Sequence, residues 1–240
     1  MKIIITENQF EKLKEPKILH IPSLEIFDNN WNKLQSYLNR KGDPLYSISG
    51  DLDLENEKIQ SLGDLTSVGG DLDIRYSPIK SLGNLTSVGG DLYLEYSSVQ
   101  SLENLTSVGG NLYLEGTSIQ SLGNLTSVKG DIYLEYTPIE SLGNLKSVGG
   151  SLLLLNSSIK SLGNLTSVGR DIDLYGSKIE SLGNLTSVKG NLSLEDSSVQ
   201  SLGNLKSVGG NLYLNNTPMS RKYSEQEIRQ MVNIGGEIYL

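Results

Sequence analysis

From Asp51 to Gly210 the chain is one 20-residue unit written eight times without slippage, as in DLYLEYSSVQSLENLTSVGG at 91–110. A ninth copy opens at Asn211, and after an insertion the run Asn233-Ile234-Gly235-Gly236-Glu237-Ile238-Tyr239-Leu240 restarts the motif. Strict self-similarity at a fixed period leaves few folds open. A unit this short buries no core of its own, so successive units must stack, each covering the one before.

Six positions of the unit are always apolar: Leu92, Leu94, Val99, Leu102, Leu105 and Val108 in the copy at 91–110. Leu92 and Leu94 alternate with polar neighbours, the period-two signature of a short strand with one buried face. Leu102, Leu105 and Val108 step by three, which suits a tight or extended return segment better than an α-helix. The chain has two Phe and one Trp, so the core must be aliphatic. Parallel strands of stacked copies lie about 4.8 Å apart, so ten of them span about 43 Å. Two turn signals punctuate each coil. One is the Ser/Thr/Pro step after the strand, as in Tyr76-Ser77-Pro78; the other is the pair Gly69-Gly70 and its equivalents. Glycine there is expected to supply backbone angles that side chains resist. Asn84, Asn104, Asn124 and their equivalents are expected to form an amide ladder that satisfies backbone groups in the turn.

The segment L-x-L-x-x-[S/T]-x-[I/V], as in Leu92-Tyr93-Leu94-Glu95-Tyr96-Ser97-Ser98-Val99, resembles the strand signature of the leucine-rich-repeat family, with Ser or Thr where that family usually has Asn. The run L-x-N-L-T-S-V-x-G is similar to the coils of receptor L domains. The resemblance covers roughly 46–240. It implies a mainly β fold: a right-handed leucine-rich-repeat-like β-solenoid with parallel strands, about ten coils and short helical caps at both ends. Copies this regular, ending in Thr217-Pro218-Met219-Ser220-Arg221-Lys222-Tyr223, are similar to repeat proteins of bacteria and their phages. That likeness implies a bacterial or phage-infected cytoplasm, or a virion.

A stacked solenoid exposes core at its ends unless they are covered. Residues 1–15 are expected to form an arm or strand-helix segment in which Thr6-Glu7-Asn8-Gln9 fits a capping box ahead of Phe10 and Leu13. Residues 16–49 are expected to cap the N-terminus, with Asp28 starting a helix that carries Trp31, Leu34, Tyr37 and Leu38 on one stripe. The solenoid then fills 50–218. A C-terminal cap of helix and final strand fills 219–240, where Ser224-Glu225-Gln226-Glu227 offers a second capping box before Ile228, Met231 and Val232.

Little in the chain suggests catalysis. There is no cysteine and one histidine, His20, outside the repeats. The many serines recur in every coil with no base beside them, and Gly-Gly followed by a strand is the wrong order for a phosphate loop. No enzyme activity, cofactor or metal is expected. Gly-Gly-Asp superficially suits calcium, but a 20-residue unit with a leucine core is unlike the nine-residue calcium rolls. Asn-Leu-Thr recurs at 84, 104, 124, 164 and 184 in a constant position of the coil, a weak case for glycosylation. A net charge of −8 argues against nucleic acid. No stretch approaches the length of a membrane span, and the apolar run Ile3-Ile4-Ile5 is shorter than a secretion signal needs.

If the leucines point inward, the alternating strand residues form one outward face. From Asp51/Asp53/Glu55 to Asn211/Tyr213/Asn215 it comprises 27 positions, 13 acidic and one basic, a net −12 against −8 for the chain, so everything else carries +4. Tyrosines interleave the charge, with Tyr76, Tyr96 and Tyr136 flanking it, and Leu153 and Leu155 interrupt it with an apolar notch. Folding is not expected to require these stacked charges. The strand face varies between copies while the return segment hardly changes. The expected function is therefore a protein-interaction module. Its candidate contacts are Asp73, Tyr93, Glu95, Tyr113, Glu115, Tyr133, Glu135, Leu153, Leu155, Tyr175 and Tyr213, and its partner is a protein with a basic or mixed surface. A structural or virion component docked by the arm at 1–15, and a carbohydrate-binding adhesin, are the alternatives. A solvated face with no partner is the bland one. Oligomeric state is left open.

Overall fold

Two residues of strand per coil suffice to zip neighbouring coils together. In the computed structural model, which describes residues 17–240, the chain is a mainly β solenoid built from two parallel sheets. A ten-stranded face sheet runs from Leu52–Asp53 to Ile238–Tyr239, and an eleven-stranded return sheet runs from Leu19–Ile21 to Asn233–Ile234. The register is the sequence period itself: Leu92 pairs with Leu112 and Tyr93 with Tyr113, and Ser107 pairs with Ser127. Eight coils, rather than about ten, are complete 20-residue turns. The ninth is lengthened, so that Tyr213 pairs with Tyr239.

All six apolar columns are buried along the repeat, from Leu52 and Leu54 to Leu212 and Leu214. Parallel stacking sets each side chain on its own kind one coil away, which fills the interior with no buried ring inside the repeat. The buried aromatics, Trp31 and Tyr46, lie at the N-terminal end. A seventh inward position is polar: Ser77, Ser97, Thr117, Thr137 and their equivalents are buried. The threonines return their hydroxyls to the carbonyls of Leu114 (2.8 Å) and Leu134 (2.6 Å).

The turns revise one expectation. The Gly-Gly pair does not adopt left-handed angles; a Cβ on Gly109 would sit 2.0 Å from the carbonyl oxygen of Gly89 in the coil before. Glycine is there for close approach of backbones. Lys129 and Lys189 occupy the same position, and there the amide-to-carbonyl bond to the preceding coil is 3.1 Å in both, against 2.8 Å at Gly89 and 2.9 Å at Gly109. The left-handed glycine is a different one, in the return turn, with φ 61° at Gly83. The amide ladder forms as expected: Asn104 donates to the Gly83 carbonyl (2.9 Å) and Asn124 to that of Glu103 (3.0 Å).

The N-terminal cap is only partly helical. Its strands Leu19–Ile21 and Tyr46–Ile48 extend the return sheet, and a 3₁₀ turn (Leu24–Phe27) and helix α1 (Trp31–Arg40) lie between them. Asp28 is not the cap of α1. At φ 56° it ends the 3₁₀ turn, whereas the extended Asn30 accepts the Lys33 amide (3.0 Å). Trp31, Leu34 and Leu38 are buried, and Tyr37 packs on Phe27. The arm at 1–15 and its capping box lie outside the described residues. At the other end, Thr217 caps α2 (Pro218–Lys222) and Ser224 caps α3 (Glu225–Met231), each in a capping box. Ile228 and Val232 are buried, but Met231 faces water. From α3, Arg229 reaches the carbonyls of Ile234 (3.4 Å) and Gly236 (3.2 Å). In earlier coils the equivalent carbonyls, those of Val208 and Gly210, accept the amides of the next coil. The guanidinium donates where the amides of the next coil donate earlier in the repeat.

Candidate functional site

Three side chains per coil point outward from the face sheet, and their three columns do different work. The first begins Asp51, Asp71, Asp91, Asn111, Asp131, Ser151. Each accepts the backbone amide of its successor: Asp91 N to Asp71 Oδ1 (2.7 Å), Asn111 N to Asp91 (2.6 Å), Ser151 N to Asp131 (2.6 Å). Asn111 and Asn191 do the same with amide oxygens. These residues are part of the fold, which corrects the expectation that folding has no use for them. An unsatisfied amide between coils would cost about 1–3 kcal/mol.

The second column carries the tyrosines. Tyr93, Tyr113 and Tyr133 form a continuous stack, with neighbouring centroids 4.8 Å apart and planes within 4° and 7° of parallel. Neighbours in the first column hold their hydroxyls. Tyr93 donates to Asp91 (3.0 Å), Tyr133 donates to Asp131 (3.3 Å), and Asn111 donates to the Tyr113 oxygen (3.1 Å). Burial, then the bond to Asp91 and its charge, pushes the Tyr93 phenol up to about 12. The faces of these rings are spent on one another, so the stack turns its edges to solvent. Leu153 follows Tyr133 in register and is half-buried, as is Leu155 beside it. Tyr213 stands apart from this group, stacked on Tyr239 at 4.7 Å, with Asn211 donating to its hydroxyl.

The third column runs Glu55, Arg75, Glu95, Glu115, Glu135, Leu155, Tyr175. Arg75 donates to Asp73 through Nε (3.0 Å) and Nη2 (2.5 Å), reaches Glu55 at 3.4 Å, and lies 5.3 Å from the centre of the Tyr93 ring. Asp73 is therefore already paired. Glu95, Glu115 and Glu135 are half-buried, and each has one carboxylate oxygen out of water with no hydrogen-bond donor. No ion pair among the described residues includes them. Burial, with the charge of Glu115 between them, raises Glu95 and Glu135 above the ordinary carboxylate range. Tyr175 is exposed, beyond the apolar notch.

The residue after this column is the left-handed turn of every coil, and it was not among the expected contacts. Most coils place Asn, Gly or Asp there: Asn56, Gly116, Asn156, Gly176, Asp196, Asn216. Three coils place tyrosine, with φ 56° at Tyr76, 55° at Tyr96 and 58° at Tyr136. A bulky side chain in that region costs on the order of 1 kcal/mol. All three are exposed, at 53%, 59% and 90%. Tyr76 and Tyr96 stack at 5.5 Å, and the Tyr96 ring leans over Gly116, where a Cβ would fall 2.5 Å from Cδ1. The sequence carries the signal: tyrosine in a column otherwise reserved for Asn, Gly and Asp.

No family model matches this chain, and no curated protein matches it either. What the face does must be read from its own geometry. The structure brings together Asp73, Tyr93, Glu95, Tyr113, Glu115, Tyr133 and Glu135, with Leu153 and Leu155 at their edge; Tyr213 is not part of the group. His20 is exposed on the first cap strand, 2.7 Å from the Ser47 hydroxyl. Among the described residues no group of three or more His, Cys, Asp or Glu is placed to hold a metal ion. No helix among them is long and apolar enough to cross a membrane.

Proposed function

We propose that this chain is a non-enzymatic interaction module of the leucine-rich-repeat kind, working in a bacterial or phage-infected cytoplasm. It binds a protein with a basic or mixed surface through the acidic, tyrosine-bearing part of its strand face. One observation carries the reading: Tyr76, Tyr96 and Tyr136 sit exposed in backbone conformations that six other coils give to Asn, Gly or Asp. Strain that folding does not need, kept in exposed aromatic side chains, is what a contact surface selects for. The half-buried glutamates beside them supply charge complementarity. The family reading is supported by the L-x-L strand and the buried Ser/Thr column behind it.

Sugar binding is the weaker reading, because sugars stack on ring faces and the rings of the central stack face one another. Affinity capture with the intact chain, beside a Tyr76→Asn/Tyr96→Asn/Tyr136→Asn variant, tests the proposal. A protein held by the intact chain at low salt, released at high salt and missed by the variant supports it. Equal capture by both refutes the face. A third bait lacking residues 1–15 then shows whether the arm is the docking element instead.

A further inference from the structure

The face already holds one guanidinium, and its setting shows what the face does with such a group. Arg75 stands in the glutamate column, forked on Asp73, within reach of Glu55 and over the Tyr93 ring. It closes the N-terminal end of the tyrosine stack and compensates the carboxylates around it. One coil further the direct pairing stops. Glu95, Glu115 and Glu135 repeat the column, each with a donor-less buried oxygen and none in an ion pair among the described residues, with only Glu95 still feeling the charge of Arg75.

We infer that the part of the face from Glu95 to Glu135, bordered by Tyr96 and Tyr136, receives arginine side chains of a partner protein. This rests on the proposed protein-binding role and narrows its partner to an arginine-bearing segment. The physical reason is the shape of the available groups. A guanidinium is flat, weakly hydrated and carries five donors; it forks on a carboxylate and lies against a tyrosine ring in one placement. An ammonium is compact and strongly hydrated, and gains less from the rings. Glu115 lies on the coil whose turn residue is Gly116, between those of Tyr96 and Tyr136. The Tyr96 ring leans over Gly116 and fills the space a side chain there would take, so a flat group forked on Glu115 meets a tyrosine ring beside it. The carboxylates lie about 4.8 Å apart along the stack, so several guanidinium groups of one segment can engage them together.

The test uses the full chain and short peptides in which arginine alternates with serine, beside matched peptides with lysine, in titration calorimetry at low ionic strength. The arginine peptide is expected to bind about tenfold more tightly than the lysine peptide. Tyr96→Asn/Tyr136→Asn removes that preference and leaves lysine-peptide affinity in place. Glu95→Gln/Glu115→Gln/Glu135→Gln abolishes binding of both, whereas neutralising Asp43, Glu140 and Glu180, which lie off the face, does not. Thermal melts verify that every variant is folded. Equal affinity for the two peptides overturns the arginine inference and leaves the acidic-face reading standing. No binding of either peptide by the folded chain overturns both. Binding that survives the glutamine variant puts the peptide elsewhere and overturns the inference.

Discussion

The ring of Tyr96 lies over Gly116, one coil along, in the space where a side chain at 116 would stand. Two departures from the repeat are thus coupled: a tyrosine where the turn prefers Asn or Gly, and a glycine that makes room for it. Gly116→Ala puts a Cβ into the ring and a side chain at φ 69°. It should cost about 1–2 kcal/mol in urea unfolding and change the fluorescence of the Tyr76–Tyr96 pair. An unchanged midpoint would show that the contact is incidental.

Tyr136→Asn should do the opposite. The ring is almost wholly exposed and φ is 58°, so asparagine relieves backbone strain and gives up little packing. A gain of about 0.5–1 kcal/mol is expected. Tyr96→Asn should gain less, because it also forfeits the stack on Tyr76. Destabilisation by Tyr136→Asn would refute the strain on which the functional reading depends.

In the first column, Asp131→Ala leaves the Ser151 amide without its acceptor and should cost about 1–3 kcal/mol. Asp131→Asn should cost much less, since Asn111 performs the same task one coil earlier. Equal losses in the two variants would mean that the charge, not the acceptor, matters here.

The glutamate column predicts an acid-side gain in stability. Burial first, then like charge, raises Glu95 and Glu135, in surroundings that include Asp73, Arg75, Glu115 and Asp173. A carboxyl whose folded pKa lies above its unfolded value holds its proton more tightly in the native state. Its contribution to stability is fully present below the unfolded pKa and is lost as pH rises through the folded one. Asp28 and Glu227 are shifted the other way, so the column is isolated by comparing the native chain with Glu95→Gln/Glu135→Gln. The variant should melt higher at about pH 7, and the difference should close by about pH 4. A difference independent of pH would assign the effect to packing.

Arg229→Ala should destabilise the C-terminal end by about 1–2 kcal/mol, because the Ile234 and Gly236 carbonyls lose their donor. Hydrogen exchange should show the loss confined to the last coils, as nearest-neighbour stacking requires. Uniform loss of protection along the whole solenoid would contradict that coupling.

Much of this molecule is legible in its sequence. A period of 20 residues with six invariant apolar positions admits one arrangement. Stacked coils put like on like, and Leu92 over Leu112 follows directly. The asparagine ladder and the capping box at Ser224 follow as well, since both are local or repeat with the period. Asp28 is the local misreading: it and Asn29 are both left-handed and move the start of the helix on to Asn30, and sequence alone gives no sign of this.

Contacts between coils, whose partners lie about one period apart in the chain, emerge only in three dimensions. The outward pattern makes Asp91, Tyr93 and Glu95 look equivalent, yet Asp91 is tied to the next coil's backbone, Tyr93 is closed into a stack, and Glu95 keeps a buried oxygen with no donor. The paired glycines exist for an approach between backbones of adjacent coils, which no local angle reveals. Alternation fixes which way a side chain points. Only the stacking of coils fixes whether the fold has already used it.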